Sequence, residues 1–277
     1  MDGVIIVDKK EGMTSFDVVR EVRKEYGEKK VGHIGTLDPL ASGVLPVLLG
    51  KATKLSNFLM EHDKDYIAKL TLGLKTDTGD REGNVILKKD IDESKVTKVN
   101  IINVLNSFLG TSFQVPPMYS AIKVNGKKLY ELAREGKEVE REKRKIFVSN
   151  IDLIQVDGNE ITFKVTCSKG TYIRTLCEDI AENLGTCGYM SYLRRTRVGN
   201  FRIEDAGKFI PMEEIIPDAY TYNIEERNLK PLLNGVSIRT SLADGICKLY
   251  YHDNFIGFGD VISGKLKRKI ILTFGVF

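Results

Sequence analysis

The chain contains no tryptophan, and among its 277 residues it has only three histidines, four cysteines and seven prolines. Cys167, Cys177, Cys187 and Cys247 form no Cys-x-x-Cys pair, which argues against a disulfide frame or a zinc site and for small buried hydrophobes in a reducing compartment. His33, His62 and His252 are scattered, so no metal site is expected. No apolar run approaches bilayer length; the longest, Val44–Leu49, is short and contains Pro46. The opening segment MDGVIIVDKK lacks the basic start and apolar core of a signal peptide. A soluble, cytoplasmic protein without a membrane partner is the expectation. A strong charge imbalance is also missing: 42 Lys+Arg against 38 Asp+Glu leave +4, so only the distribution of charge can point to a nucleic-acid partner.

What is present is core material. The chain is 42% hydrophobic with 12 Phe and 11 Tyr, enough for one large domain plus a small one. Gly3–Asp8 reads as a strand. Ser15–Tyr26 reads as a helix capped by Thr14 or Ser15, lined by Phe16, Val19, Val22 and Tyr26, and closed by Gly27. Val44–Leu49 suits a buried strand and Ala52–Met60 a helix. Asp65–Leu74 alternates, with Tyr66, Ala68, Leu70, Leu72 and Leu74 on one face, and a turn leads to a strand at Asn84–Leu87. Val96–Leu109 fits a helix with Val99, Ile102, Leu105 and Leu109 aligned. Lys145–Val156 and Glu160–Cys167 form a hairpin about Asp157-Gly158-Asn159. Thr171–Leu184 carries the clearest apolar stripe, and a strand spans Tyr189–Val198. These elements predict an α+β fold with a mixed, mostly antiparallel sheet flanked by helices over 1–227, and a small β-rich domain over 228–277.

One acid stands apart. In Val31–Gly50, Asp38 is the sole Asp, Glu, Lys or Arg, although charged residues make up 29% of the chain. Asp38 precedes Pro39, which holds its backbone extended. Leu37 and Leu40 beside it are expected to exclude water, and burial would then neutralise the acid unless a cation sits next to it. Positive charge gathers in three segments: Asn125–Ile146, with eight basic and five acidic residues; Thr186–Ile203, with Arg194, Arg195, Arg197 and Arg202 and no acid; and Gly264–Phe277, with four basic residues and no acid. Arg194 and Arg195, beside Tyr189 and Tyr192, offer bidentate phosphate contacts and stacking surfaces, the pattern expected of an RNA-binding strand. Asn125–Ile146, bracketed by Gly126 and Gly136, reads either as a solvated helix or as a mobile RNA-binding flap.

The motifs KKEGMTSFDVV (9–19), GHIGTLDPLASGVLPVLLGKATKL (32–55), DKDYIAKLTLGLKTDTGDREG (63–83), VPPMYSAIKVNGKKLYELAREG (115–136), CSKGTYIRTLCEDIAENLG (167–185) and YLRRTRVG (192–199) occur in this order. Together they resemble the TruB family of tRNA pseudouridine synthases over residues 3 to 212. The resemblance implies the pseudouridine synthase fold, followed by a small PUA-like RNA-binding domain. It implies isomerisation of uridine 55 in the T-loop of tRNA by base flipping, without cofactor or metal, by a protein expected to be a monomer. It makes Asp38 the catalytic aspartate, Arg174 its guanidinium partner and Tyr66 the active-site tyrosine. Leu193 then packs beside the nucleophile, Tyr172 supports Asp38 or the base, and His33 guides the extruded nucleotide. Lys9 braces the aspartate loop or touches RNA. Attack at the ribose C1′, attack at the base C6 and a glycal route all remain open. Two departures from the family pattern are Lys10, where proline is usual, and Ile34, where threonine is common. A non-catalytic RNA-binding or tRNA-folding protein on the same scaffold is the alternative. A carboxylate-based hydrolase ranks last, because no second carboxylate lies in the Asp38 loop.

Overall fold

The structure, a computed structural model, describes residues 1–124 and 126–272. Asn125 and the last five positions of the third basic segment, residues 273–277, lie outside it.

A ten-stranded sheet carries the fold. Its order runs Phe209–Pro211, Gly3–Lys9, Ser42–Leu49, Gly188–Val198, Lys64–Leu72, Glu160–Cys167, Arg144–Asp157 and Gly110–Gln114, with Val31–His33 and Phe201–Arg202 as side branches. Every pairing is antiparallel except one: Gly188–Val198 meets Ser42–Leu49 in parallel, with Arg194 opposite Ser42 and Arg195 opposite Gly43. The expected mixed, mostly antiparallel sheet is what forms.

Side-chain alternation sorts the strands onto two faces. Ile5, Leu45 and Val47 pack under the helix Ser15–Tyr26, while Val4, Ile6, Val44 and Leu48 face the opposite way. Ser42–Leu49 is therefore buried along its whole length, as a strand covered on both faces must be. Further along the sheet, Tyr66, Ala68, Leu70, Ile161, Phe163 and Val165 support the helices Lys98–Asn106 and Ile173–Asn183.

A second, five-stranded sheet is built from Tyr220–Asn223, Ile238–Arg239, Gly245–Tyr251, Asn254–Ile262 and Lys265–Ile271. It takes in residues ahead of the expected boundary at 228. Ile246, Phe258 and Ile270 from this sheet share one buried cluster with Val4, Ile6, Val44 and Met212. No helix among the described residues is long and apolar enough to cross a membrane.

Two helices turn differently from their sequence pattern. Val19 and Val22 face the core as expected, but Phe16 is 60% exposed and Val18 takes its place. In Lys98–Asn106, Val99 is 70% exposed, and Ile101 and Leu105 make the buried contact. The segment Ala52–Met60 divides into a 3₁₀ turn, Gly50–Leu55, and a short helix, Ser56–Met60.

Candidate active site

Asp38 lies on the loop between Val31–His33 and Ser42–Leu49, and its neighbours on both sides are fastened. The Ser15 hydroxyl, at the start of its helix, accepts from the Leu37 amide at 2.9 Å and donates to the Leu37 carbonyl at 3.1 Å. The Pro39 carbonyl accepts from the Gly12 amide at 2.9 Å and from Lys9 Nζ at 3.2 Å. Lys9 Nζ also donates to the Met13 carbonyl at 2.7 Å and the Lys10 carbonyl at 3.0 Å. Its side chain is fully buried, and that desolvation pulls its pKa down to about 8. Of the two roles expected for Lys9, the geometry gives it the brace and leaves no ammonium surface for RNA. The backbone that carries this acid is thus held on both sides.

The aspartate meets Arg174, which sits in the first turn of the helix Ile173–Asn183. Nη2 of Arg174 lies 3.0 Å from Asp38, and Nη1 lies 3.6 Å from Asp80. The same guanidinium donates to the Thr78 carbonyl at 3.1 Å and the Tyr119 carbonyl at 2.7 Å. Two carboxylates and two carbonyls thus fix one planar fork, a geometry a point-like ammonium would not match. Asp80 is a buried acid that sequence reasoning missed, since TDTGDREG has the composition of a solvated turn. Arg174 is 5% exposed, yet the Asp38 side chain is 38% exposed. The expected dry cavity is therefore corrected: Leu37 and Leu40 are buried in the core beneath the loop, and the carboxylate stays open to an incoming group.

Tyr66 and Leu193 lie on adjacent strands and join Leu37, Leu40 and Ala41 in one buried cluster. Burial raises the Tyr66 phenol pKa. Tyr172 precedes the arginine helix and is half-buried, and burial raises its phenol as well. Its backbone is held from outside the helix by Gln114, whose side-chain oxygen accepts from the Tyr172 amide at 3.0 Å and whose amide donates to the Tyr172 carbonyl at 3.3 Å. No sequence pattern pointed to Gln114 or to the Ser15 clamp.

His33 ends Val31–His33 opposite Val47. Burial, aided by Arg195, lowers its pKa, so the ring is neutral at pH 7, and its Nδ1 is buried without a partner among the described residues. Arg194 is partly exposed and pairs with Asp8 at 2.8 Å. Arg195 overturns its expected phosphate contact. It is 1% exposed, with Nε donating to the Val44 carbonyl at 2.8 Å and Nη2 to the Gly35 carbonyl at 2.9 Å. Strand alternation turns it into the protein, beneath the aspartate loop.

Comparison with known proteins follows the same lines. A model of the TruB family pseudouridylate synthase N-terminal domain matches residues 23–173, and one of the tRNA pseudouridylate synthase B C-terminal domain matches 174–237. The chain is 46% identical to a tRNA pseudouridine synthase B of Clostridium kluyveri over 94% of this chain and 95% of the relative. It is 47% identical to one of Clostridium perfringens over 98% and 99%. Among solved structures it is similar to a chain of a Cbf5-Nop10-Gar1 complex, with TM-score 0.68 and 28% identity over 94% of this chain and 78% of that one. A chain of an H/ACA RNP bound to a substrate RNA containing 2′-deoxyuridine gives TM-score 0.66 and 25% identity, with the same coverage.

Proposed function

The chain belongs to the TruB family of pseudouridylate synthases, and from that premise we propose that it isomerises uridine 55 in the T-loop of tRNA, with Asp38 as the carboxylate that acts on the flipped nucleoside. Its class of activity is tRNA pseudouridine synthesis, the name carried by relatives along nearly its whole length. The observation that carries the mechanism is the Asp38–Arg174 contact at 3.0 Å, between an open carboxylate and a buried guanidinium.

The isomerisation breaks the bond from C1′ to N1 and forms one from C1′ to C5; the C5 proton leaves and N1 gains one. A carboxylate serves this by attacking, or by stabilising positive charge at the sugar. Arg174 aims Asp38, and the nucleoside itself displaces water from the exposed side of the acid. Drawing the uridine from its stack costs roughly a few kcal/mol, which contacts to His33, Leu193 and the face of Tyr66 offset. Tyr172 supports Asp38 or the base. The segment 125–146, Arg194 and the small β-rich domain expected over 228–277 bind the tRNA arm, and the protein works as a monomer in the cytoplasm.

The test is tritium release from a T-arm RNA labelled at C5 of the target uridine, without added metal or nucleotide. Asp38→Asn is expected to lower release by more than about 10⁴-fold. RNA affinity, read by fluorescence anisotropy, should stay within about tenfold. Undiminished release in that variant removes Asp38 from the chemistry, and no release by the native protein removes the activity.

A further inference from the structure

Of the three arginines that follow Leu193, two have carboxylate partners: Arg194 with Asp8 at 2.8 Å and Arg197 with Asp65 at 2.6 Å. Arg195, turned inward between them, joins none of the ion pairs among the described residues. A buried guanidinium without a counter-ion is unfavourable. The carbonyls of Val44 and Gly35 accept from two of its five N–H donors and leave its charge intact. Such a charge is available to whatever negative species forms beside it.

That neighbour is Tyr66. Arg195 and Tyr66 are direct partners in the pairing of Gly188–Val198 with Lys64–Leu72, so their side chains leave the sheet on the same face, and both are buried. The guanidinium also touches the aspartate loop. Gly35 has φ +73°, and a Cβ placed there would lie 3.2 Å from Arg195 Nη1. One buried cation therefore joins the strand that carries Tyr66 to the loop that carries Asp38.

We propose that Arg195 is a positioning residue for the isomerisation: its uncompensated charge holds the Tyr66 hydroxyl and stabilises the phenolate that Tyr66 becomes while protons move at the base. The proposal rests on the reading of Asp38 and Tyr66 given above. In the intermediate with the new carbon–carbon bond, C5 carries the ribosyl carbon and its own hydrogen, and a double bond joins N1 to C6. Tyr66 gives its hydroxyl proton to N1, and the resulting phenolate takes the proton from C5. The C5–H electron pair becomes the C5–C6 double bond, and the C6–N1 π pair returns to N1. The phenol is regenerated, and no oxidant or further reactant enters. Burial works against the phenolate, and Arg195 is the group that pulls the other way. The remaining neighbours do not help: the Cys167 thiol is pushed up to about 12 by its own burial and stays neutral, and Asp38 contributes negative charge.

The experiment compares single-turnover conversion of T-arm RNA bearing hydrogen or deuterium at C5 of the target uridine, for the native protein, Arg195→Met, Arg195→Lys and Tyr66→Phe, with folding followed by thermal unfolding. Arg195→Met is expected to slow conversion about 10²-fold and to raise the C5 isotope effect above the native value, because proton transfer becomes the slow step. Arg195→Lys keeps the charge, so it should recover part of the rate with a smaller rise. If Arg195→Met does not fold, the lysine variant decides by the same isotope effect. A folded variant with the native rate overturns the proposal. So does a slowed variant with the native isotope effect, since a mere brace would retard every step alike. Full activity in Tyr66→Phe sinks the role of Tyr66 and this proposal with it. Lost activity there, beside a native isotope effect in the Arg195 variants, sinks this proposal alone.

Discussion

Arg174 reaches two acids and two carbonyls at once, and this sets what each substitution there would do. The Asp38 contact is half open to solvent, so its Coulomb energy is screened and adds little to stability. Its value lies in aim. Arg174→Lys keeps a charge but replaces a fixed fork with a mobile ammonium that cannot span Asp38, Asp80, Thr78 and Tyr119 together. We expect single-turnover conversion to fall on the order of 10²-fold through misplaced geometry. Urea unfolding should register a smaller change, about 1–2 kcal/mol, from the lost carbonyl bonds. Native turnover in a destabilised Arg174→Lys protein would make the fork a structural feature and not a catalytic one.

The parallel junction of Ser42–Leu49 with Gly188–Val198 positions Asp38, Arg195 and Leu193 relative to one another, and a single glycine permits it. Gly43 adopts φ +107°, and a Cβ there would sit 2.1 Å from the Arg195 carbonyl oxygen. Gly43→Ala should cost more than about 4 kcal/mol in urea unfolding or prevent soluble expression. Gly170→Ala has φ +78° but nothing within 4 Å, and should lose only about 1–2 kcal/mol. Equal losses at the two sites would mean that the strands can separate to admit a methyl group. Elements whose signals are local were legible in the sequence. The helix Ser15–Tyr26 has the boundaries expected, because Thr14 and Asp17 form a reciprocal cap and Gly27 takes a left-handed turn at φ +61°. Which face a helix buries was less legible: in Lys98–Asn106 the neighbouring strands select Ile101 and Leu105 over Val99 and Ile102. At the site, the isolation of Asp38 and the placement of Arg174 in a helical first turn could be read from the sequence and its family resemblance. Asp80, Ser15 and Gln114 could not, because each is a single polar residue that acquires its partner only when distant segments pack together.

At the scale of the whole molecule, folding redistributes the charge that the sequence offers RNA. The acid-free segment Thr186–Ile203 counts +4, but Arg195 is buried, and Asp8 and Asp65 neutralise Arg194 and Arg197. Lys143, Arg144 and Lys145, at the start of the strand Arg144–Asp157, are by contrast exposed and enter no ion pair among the described residues. Phosphates bind where unpaired cations can displace the counterions condensed on the RNA, so Lys143, Arg144 and Lys145 should carry more of the tRNA affinity than the arginine strand. In titrations across salt concentrations, the combined change Lys143→Gln, Arg144→Gln and Lys145→Gln should flatten the log–log slope by about 0.7–0.9 for each phosphate contact removed. Arg197→Gln should leave the slope at its native value, because that cation is already spoken for by Asp65 at 2.6 Å. A slope that responds to Arg197→Gln and ignores the triple change would move the RNA track onto the strand, and would mean that tRNA breaks the Arg197–Asp65 pair when it binds.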